Sequence, residues 1–411
     1  MSIRKGWSVL RLSLVVAALF AELSFAISQG SCSGGGGRLE VRVGETVEVT
    51  SSYNYCWFPT IHQFPTGEIL ATMRMSPDEE HPEGEFSAYC VSKDGGHTWS
   101  RRYTLGAGGN VDAAYTQVAG EDGAIWVLGA GYLSLEPHPP GQTKQFRAAL
   151  TKFSDGGAVI DQIRDALIRL SEPVHGRQPT LHDRHTKDAS KLTEVFDLVP
   201  WGAIISGPKG EWISTLYYMP SSDVNHWRLI AIGSNDRGHT WDELGAISIP
   251  RRGTQPSSKM TLEEGPNEAG LVRLGGGSLY SIFRVDGPGT LRDMGESWSS
   301  DDGKTWSKTV DTGFKGVAPH LRLLSNGVLA CTFGRPGPVT IMFSLDGGKK
   351  WTNETPLYKG MSTCYSDLVE VRPGEVLVIY DATPHGGDPI PISDKASKNS
   401  VYATFVEVRK K

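Results

Sequence analysis

The chain predicts an all-β fold, a six-bladed β-propeller, and three observations carry that expectation. An eight-residue frame, S-x-D-x-G-x-T-W, recurs at Ser92–Trp99, Ser234–Trp241, Ser299–Trp306 and Ser344–Trp351, broken only by Lys350. Six times, a turn ending in Gly leads into a short apolar strand, at Gly67, Gly123, Gly210, Gly277, Gly327 and Gly374. No sustained helical periodicity links them. Fixed patterns repeating at blade-like distances signal a repeat architecture.

The frame has a physical reading. Asp and Ser side chains bond nearby backbone N–H groups and hold a tight turn. Gly permits positive φ at the bend, and Trp packs as an apolar plug where the next strand begins.

In chain order, the first segment reads as an export signal, residues 1–26. Arg4, Lys5 and Arg11 precede an apolar run that ends at Ser24-Phe25-Ala26, and Glu22 argues against a permanent membrane helix. Residues 27–38 form a Gly-rich tether. Cys32 is a candidate lipid-bearing residue, although Gln29 suits that site poorly. The expected location is therefore secreted or extracytoplasmic.

Residues 39–411 then form a single propeller and catalytic domain. Each turn Gly is preceded by a second apolar segment, which makes six hairpins. The longest gap, between Gly123 and Gly210, holds the Pro-rich stretch Pro137–Pro140 and the charged stretch Asp183–Lys191. It also holds a helix-like piece, Val159–Leu170, and a worn copy of the frame at Ser154-Asp155-Gly156-Gly157. The last strand, Ser400–Val408, should pair with Leu39–Val49 and remove an exposed edge.

A net charge of −5 gives no reason to expect nucleic acid or an anionic membrane as partner. Cys56, Cys90, Cys331 and Cys364 lack metal-type spacing, and no metal or cofactor is expected. The four read first as buried small residues and then as one or two bridges. Cys56 and Cys364 flank the axis-facing segments of the first and last blades, so they are expected to lie close, as the candidate pair for a bridge. Asn353-Glu354-Thr355 is a glycosylation sequon in a eukaryotic host.

Aligning the hairpins on the turn Gly locates the chemistry. Seven or eight residues after it stand Arg74, Arg284 and Arg335. Nine residues before it stand Phe58, Ala114, Trp201, Glu268, Ala318 and Tyr365. Both offsets lie at the open end of an antiparallel hairpin, so these side chains should share one mouth. Arginines crowded together repel unless an anion joins them, and their planar fork suits a carboxylate.

The repeated frame is the Asp-box and resembles the outer turn of sialidase-type propeller blades. The segment Gly265-Pro266-Asn267-Glu268 through Arg284 resembles the sialidase segment carrying the nucleophile's glutamate partner and one arginine of the substrate triad. Cys364-Tyr365-Ser366-Asp367-Leu368 resembles the segment bearing the nucleophilic tyrosine, and Arg335 matches a further triad arginine. One departure stands out. The usual R-I-P tripeptide is replaced by Trp57-Phe58-Pro59, so its Arg is absent and Arg74 is the substitute at the far end of the same hairpin.

The resemblance implies an exported retaining exo-glycosidase of sialidase type that releases a terminal acidic sugar from a glycan. Tyr365 would be the nucleophile, Glu268 its base, and one of Asp78, Glu79 and Glu80 the acid/base, with Asp78 preferred. Arg284, Arg335, Arg74, Trp57 and Trp201 would hold the substrate. The missing Arg leaves two alternatives: a same-fold glycosidase for a different sugar, or a carbohydrate-binding propeller without catalysis.

Overall fold

The computed structural model describes residues 38–54, 56–76, 78, 86–104, 117–119, 123–129, 133–134, 144–154, 160–177, 195–249, 265–287, 290–384 and 397–411. The expected signal segment, residues 27–37 of the tether and Cys32 lie outside them.

Among the described residues, six antiparallel units of four strands follow in chain order. Blade 1 runs Cys56–Gln63, Ile69–Met75, Phe86–Ser92 and Tyr103–Thr104. Blade 2 runs Gln117–Ala119, Ile125–Leu128, Gln145–Phe153 and Ile160–Arg169. Blade 3 comprises Leu198–Ser206, Trp212–Tyr218, Arg228–Ser234 and Thr240–Ser248. Blade 4 comprises Gly265–Arg273, Leu279–Gly287, Asp293–Ser299 and Val310–Lys315. Blade 5 is built from Val317–Leu323, Leu329–Gly334, Val339–Ser344 and Trp351–Tyr358. Blade 6 takes Ser366–Arg372, Glu375–Ala382 and Asn399–Lys410 from the end of the chain and Leu39–Ser52 from its start.

That last pairing is the expected closure, with Val41 opposite Val408 and Ser51 opposite Ser400. The ring is also closed by packing. Apolar clusters join blade 1 to blade 2 through Phe64, Tyr89, Ile125 and Phe153, blade 2 to blade 3 through Trp126, Leu150, Trp212 and Trp241, and blade 3 to blade 4 through Trp201, Ala231, Ala269 and Phe283. Blades 4 and 5 share Tyr280, Met294, Leu329 and Phe333. Blades 5 and 6 share Val328, Phe343, Val376 and Val406, and blades 6 and 1 share Leu377, Phe405, Ile69 and Met73. Each interface removes apolar area from water, which is the main force holding such sheets together.

The six turn glycines all have positive φ, between 75° and 102°. In blades 1, 3, 4 and 5 the turn repeats the same bonds; for example, Gly277 N donates to Leu274 O at 2.8 Å and Leu274 N to Ser278 O at 2.8 Å. In blade 6 the Gly374 N–H goes instead to the Glu370 carboxylate.

The Asp-box turns join the third and fourth strands of blades 1, 3, 4 and 5, as expected. In the second box the Ser234 hydroxyl donates to Asp236 Oδ1 and receives the Gly238 N–H, both at 2.8 Å. The Thr240 N–H and hydroxyl donate to the two Asp236 oxygens, and Trp241 Nε1 donates to Gly238 O. Lys350 keeps the backbone bond to Asp346 but lacks the hydroxyl. Burial pushes the Asp236 carboxyl up, and the bonds from Thr240 and Ser234 outweigh it, leaving the group below the usual aspartate range. The same balance holds Asp94 at about 2. A depressed folded value means stability that is present above the unfolded aspartate value and lost as pH falls through the folded one. Asp236→Ala is therefore expected to cost about 1–2 kcal/mol at neutral pH, and acid titration below about pH 4 should narrow its gap from the parent. A gap unchanged down to pH 2 in denaturant melts would contradict the bonding account.

Two sequence expectations are corrected. Val159–Leu170 is not helical: Ile160–Arg169 is the outer strand of blade 2. It pairs with Gln145–Phe153 and, in parallel at Leu167–Arg169, with blade 3 at Thr240–Asp242. Ile160, Ile163 and Leu167 mimic a helical stripe, but burial of Ala166, Ile168 and Leu170 with exposure of Arg169 is the two-residue period of a strand. The Cys56–Cys364 bridge is absent, and all four cysteines among the described residues are free and buried. Cys56 packs between blades 6 and 1, while Cys364 packs between blades 5 and 6, on the other side of blade 6. Burial raises all four thiols, Cys90 to about 12. Asp155–Gly157 of the worn frame lie outside the described residues, as do residues 79–85 with Glu79 and Glu80, and Ala114.

Candidate active site

The inner strands carry a shared irregularity at the predicted phase. Their ladders shift between Trp57 and Thr60, Trp201 and Ile205, Asn267 and Ala269, and Val317 and His320. At these shifts Phe58, Gly202, Glu268 and Ala318 take φ of 53°, 84°, 42° and 45°, and Cys364, just before the inner strand of blade 6, takes 66°. Such bulges re-aim side chains, and positive φ at residues with a Cβ is a strain that clusters at functional sites. Gly202 has a second reason to be glycine, since a Cβ there would come within 2.3 Å of Ala269 O.

The bulges bring Tyr365 of blade 6 and Glu268 of blade 4 together. Tyr365 Oη donates a short hydrogen bond to Glu268 Oε1. The same oxygen accepts from Arg284 Nη1 at 2.9 Å, and Glu268 Oε2 accepts the Ala318 N–H at 3.0 Å. Both oxygens of this buried carboxylate thus have defined partners. Burial first, then the negative charge of Glu268, push the Tyr365 phenol well above its ordinary range. The phenol is therefore neutral at rest, with its proton directed at a carboxylate.

Aromatic rings wall the phenol. Phe58 lies 4.5 Å from the Tyr365 ring and Trp201 meets it edge-on at 5.7 Å. Trp57 stacks on Phe58 at 5.4 Å. Arg335 sits over the Tyr365 ring at 5.7 Å, and its Nε and Nη2 both donate to Thr363 O, at 3.2 and 2.8 Å. Arg284 Nη2 forms a short ion pair with Asp286.

Of the predicted residues, Tyr365, Glu268, Arg284, Arg335, Trp201 and Trp57 therefore belong to one cluster. Arg74 faces Trp57 across the blade 1 hairpin, the register that Arg284 holds toward Asn267 in blade 4. Asp78 follows that hairpin. Its Oδ1 accepts from the Ser52 hydroxyl and from Tyr53 N at 2.8 Å, anchoring it to the end of the outer strand of blade 6. Among the described residues its Oδ2 has no hydrogen-bond partner, and the residue is exposed.

Sequence reasoning passed over Asp286 and Asp381. Asp286 stands two residues beyond Arg284, so strand alternation places both on one face. Fully buried Asp381 accepts from Phe58 N at 3.2 Å, Thr363 N at 2.7 Å, Ser362 Oγ at 2.8 Å and the Thr363 hydroxyl. It thereby ties blade 1 to the loop entering Tyr365. Burial raises its carboxyl above the usual range against these bonds.

A cavity of about 520 Å³ continues along the inner strands, lined by His62, His320, Arg322 and Asp367 and by none of the Tyr365 cluster. Its two carboxylates are already engaged: Asp367 accepts from Ile61 N, Leu368 N and His320, and Glu370 from Ser325 and Gly374 N. Burial, with Arg322 adding to it, pushes His62 down to about 3. The strained backbone and the nucleophile–base geometry lie at Tyr365, not here.

A BNR repeat-like domain matches residues 196–378. No curated protein matches by sequence. Among solved structures, a protein of unknown function from Dyadobacter fermentans aligns with a TM-score of 0.64 at 18% identity, over 90% of this chain and 99% of that one. The Hadza microbial sialidase Hz136 aligns with a TM-score of 0.57 at 16% identity, over 87% of this chain and 66% of that one. The alpha-L-arabinanase of Penicillium chrysogenum aligns with a TM-score of 0.56 at 16% identity, over 88% and 98%. The chain spans 59% of Trypanosoma rangeli sialidase, at 13% identity and a TM-score of 0.53. Among the described residues, no helix is long and apolar enough to cross a membrane. Residues 196–378 thus resemble a BNR repeat-like domain, and the fold is similar to that of the sialidases and the arabinanase.

Proposed function

We propose that the chain is a retaining glycoside hydrolase in which Tyr365 is the nucleophile and Glu268 its base. The observation that carries this is the hydrogen bond from Tyr365 Oη to Glu268 Oε1, made between blades 97 residues apart in sequence. A neutral phenol attacks poorly at neutral pH unless a base takes its proton. In the first step Tyr365 Oη bonds to the anomeric carbon and its proton passes to Glu268. The bond to the leaving oxygen breaks as an acid delivers a proton to it. In the second step water attacks the same carbon and gives its proton to that acid's carboxylate, while Tyr365 leaves and recovers its proton from Glu268.

Asp78 is the candidate for that acid, held by Oδ1 at an exposed position. Asp78→Ala is expected to slow substrates with poor leaving groups by about 10²–10⁴ and activated aryl glycosides much less. Added azide should restore turnover and give a glycosyl azide. Full activity of the variant on poor leaving groups would move the role to Glu79 or Glu80.

The fold neighbours do not choose the sugar, since they include sialidases and an arabinanase solved with arabinobiose. The sequence expectation, a terminal acidic sugar held by Arg284, Arg335 and Arg74, is the first one to test. A panel of aryl glycosides led by an aryl sialoside, followed by trapping with fluorinated analogues and peptide mapping, tests the whole reading. Label on Tyr365 supports it. Label on another residue ends it, and binding of a glycan without any cleavage leaves a carbohydrate-binding propeller instead.

A further inference from the structure

We infer that Asp286 is a built-in counter-ion that turns the mouth away from acidic sugars, so that the site takes a neutral terminal aldose. The inference rests on the Tyr365 reading above. A clamp for a carboxylate needs a guanidinium with a free paired edge. Arg284, the arginine bonded to the base, offers none. Arg284 gives Nη1 to Glu268 and Nη2 to Asp286, and its Nε is buried without a partner. Arg335 spends its Nε–Nη2 edge on Thr363 O and keeps only its terminal edge. The Asp286 Oδ2 atom is buried and has no partner other than Arg284. It takes Nη2, a guanidinium nitrogen that a second carboxylate would need.

Charge leads to the same conclusion. Glu268, Asp286 and Arg284 leave one net negative charge around the phenol, and Arg335 brings the four to zero. A substrate carboxylate would add a charge of the same sign as two buried carboxylates already present, in a place shielded from water. A neutral sugar adds none. The Glu268 carboxylate would then act on the positive charge that grows on the sugar ring in the transition state. The wall of Phe58, Trp57 and Trp201 suits the apolar face of a pyranose or furanose ring.

Two measurements test this. The parent protein is treated with 2,3-difluorosialic acid and, separately, with 2-deoxy-2-fluoro glycosyl fluorides of neutral aldoses, and labelled peptides are mapped. Label on Tyr365 from a neutral probe and none from the acidic one is the expected result. Label on Tyr365 from difluorosialic acid overturns the inference while upholding the nucleophile. Label from a neutral probe at another residue overturns the nucleophile and leaves the choice of sugar standing. The second measurement needs no catalysis. Sialic acid is titrated at constant ionic strength into the parent and into Asp286→Asn and Asp286→Ser, each checked for folding by thermal melting. The variants free Arg284 Nη2 and should bind the acid at least about tenfold more tightly, a difference of about 1.4 kcal/mol. Equal binding by parent and variants refutes the role of Asp286.

Discussion

Tyr365→Phe is expected to remove turnover, by a factor on the order of 10³–10⁶, while leaving the fold intact. The change deletes one oxygen. Glu268 keeps its bonds from Arg284 Nη1 and Ala318 N, so its charge stays compensated. Phe58 and Trp201 still pack on the remaining ring. Glu268→Gln should fall nearly as far for a different reason: the amide cannot accept the phenol proton and no longer balances Arg284. The two losses should not add, because both residues serve one proton transfer. Steady-state kinetics on the best substrate, with stereochemistry followed by NMR, measure this. A Phe variant with kcat within tenfold of the parent would end the assignment.

Asp381→Ala should have the largest effect on stability, about 3–5 kcal/mol. The carboxylate is fully buried and receives two backbone N–H groups and two hydroxyls, all of which its removal strands. Because those donors belong to Phe58, Ser362 and Thr363, the variant should also lose rate through misplacement of Tyr365 and of the ring beside it. Asp381→Asn keeps one acceptor oxygen and should fall between. Its pH profile carries a sign. Burial raises the folded pKa of Asp381, so its contribution is fully present below the ordinary aspartate value and is lost as pH rises through the raised one. The Asn variant should lack that decline. Urea unfolding across pH measures both effects, and a cost under about 1 kcal/mol for Asp381→Ala would contradict this account.

Much of the architecture was legible because it depends on local chemistry. A Gly that must take positive φ and a Ser-x-Asp that must hold a turn leave the same marks at every repeat, so six hairpins and four Asp-boxes could be counted without coordinates. The hairpin offset was informative for the same reason: strands of equal rise bring equal offsets to equal depths, and the inner-strand bulges fall at Phe58, Glu268 and Ala318, nine residues before their turn glycines. Ile160–Arg169 misled because short apolar runs fit two periods, and pairing with two neighbouring strands decided between them. The Cys56–Cys364 expectation failed because proximity along the ring does not say which side of a blade a side chain packs on.

The sequence by itself determined the all-β repeat, the closure of the first strand on the last, and the identity of Tyr365 and Glu268 as the pair to examine. Only the tertiary structure decided how the charges around that pair are spent. Arg284 looks from sequence like a free cation awaiting a substrate. Its two carboxylate partners come from its own hairpin, Glu268 across the bulge and Asp286 two residues along the strand. Arg335 is taken by a backbone carbonyl of the next blade. Propensity and spacing are local and survive in the sequence. The partner of a buried charge depends on which side chains a bulge, a hairpin or the next blade brings within about 3 Å of it, and that distance exists only in the folded chain.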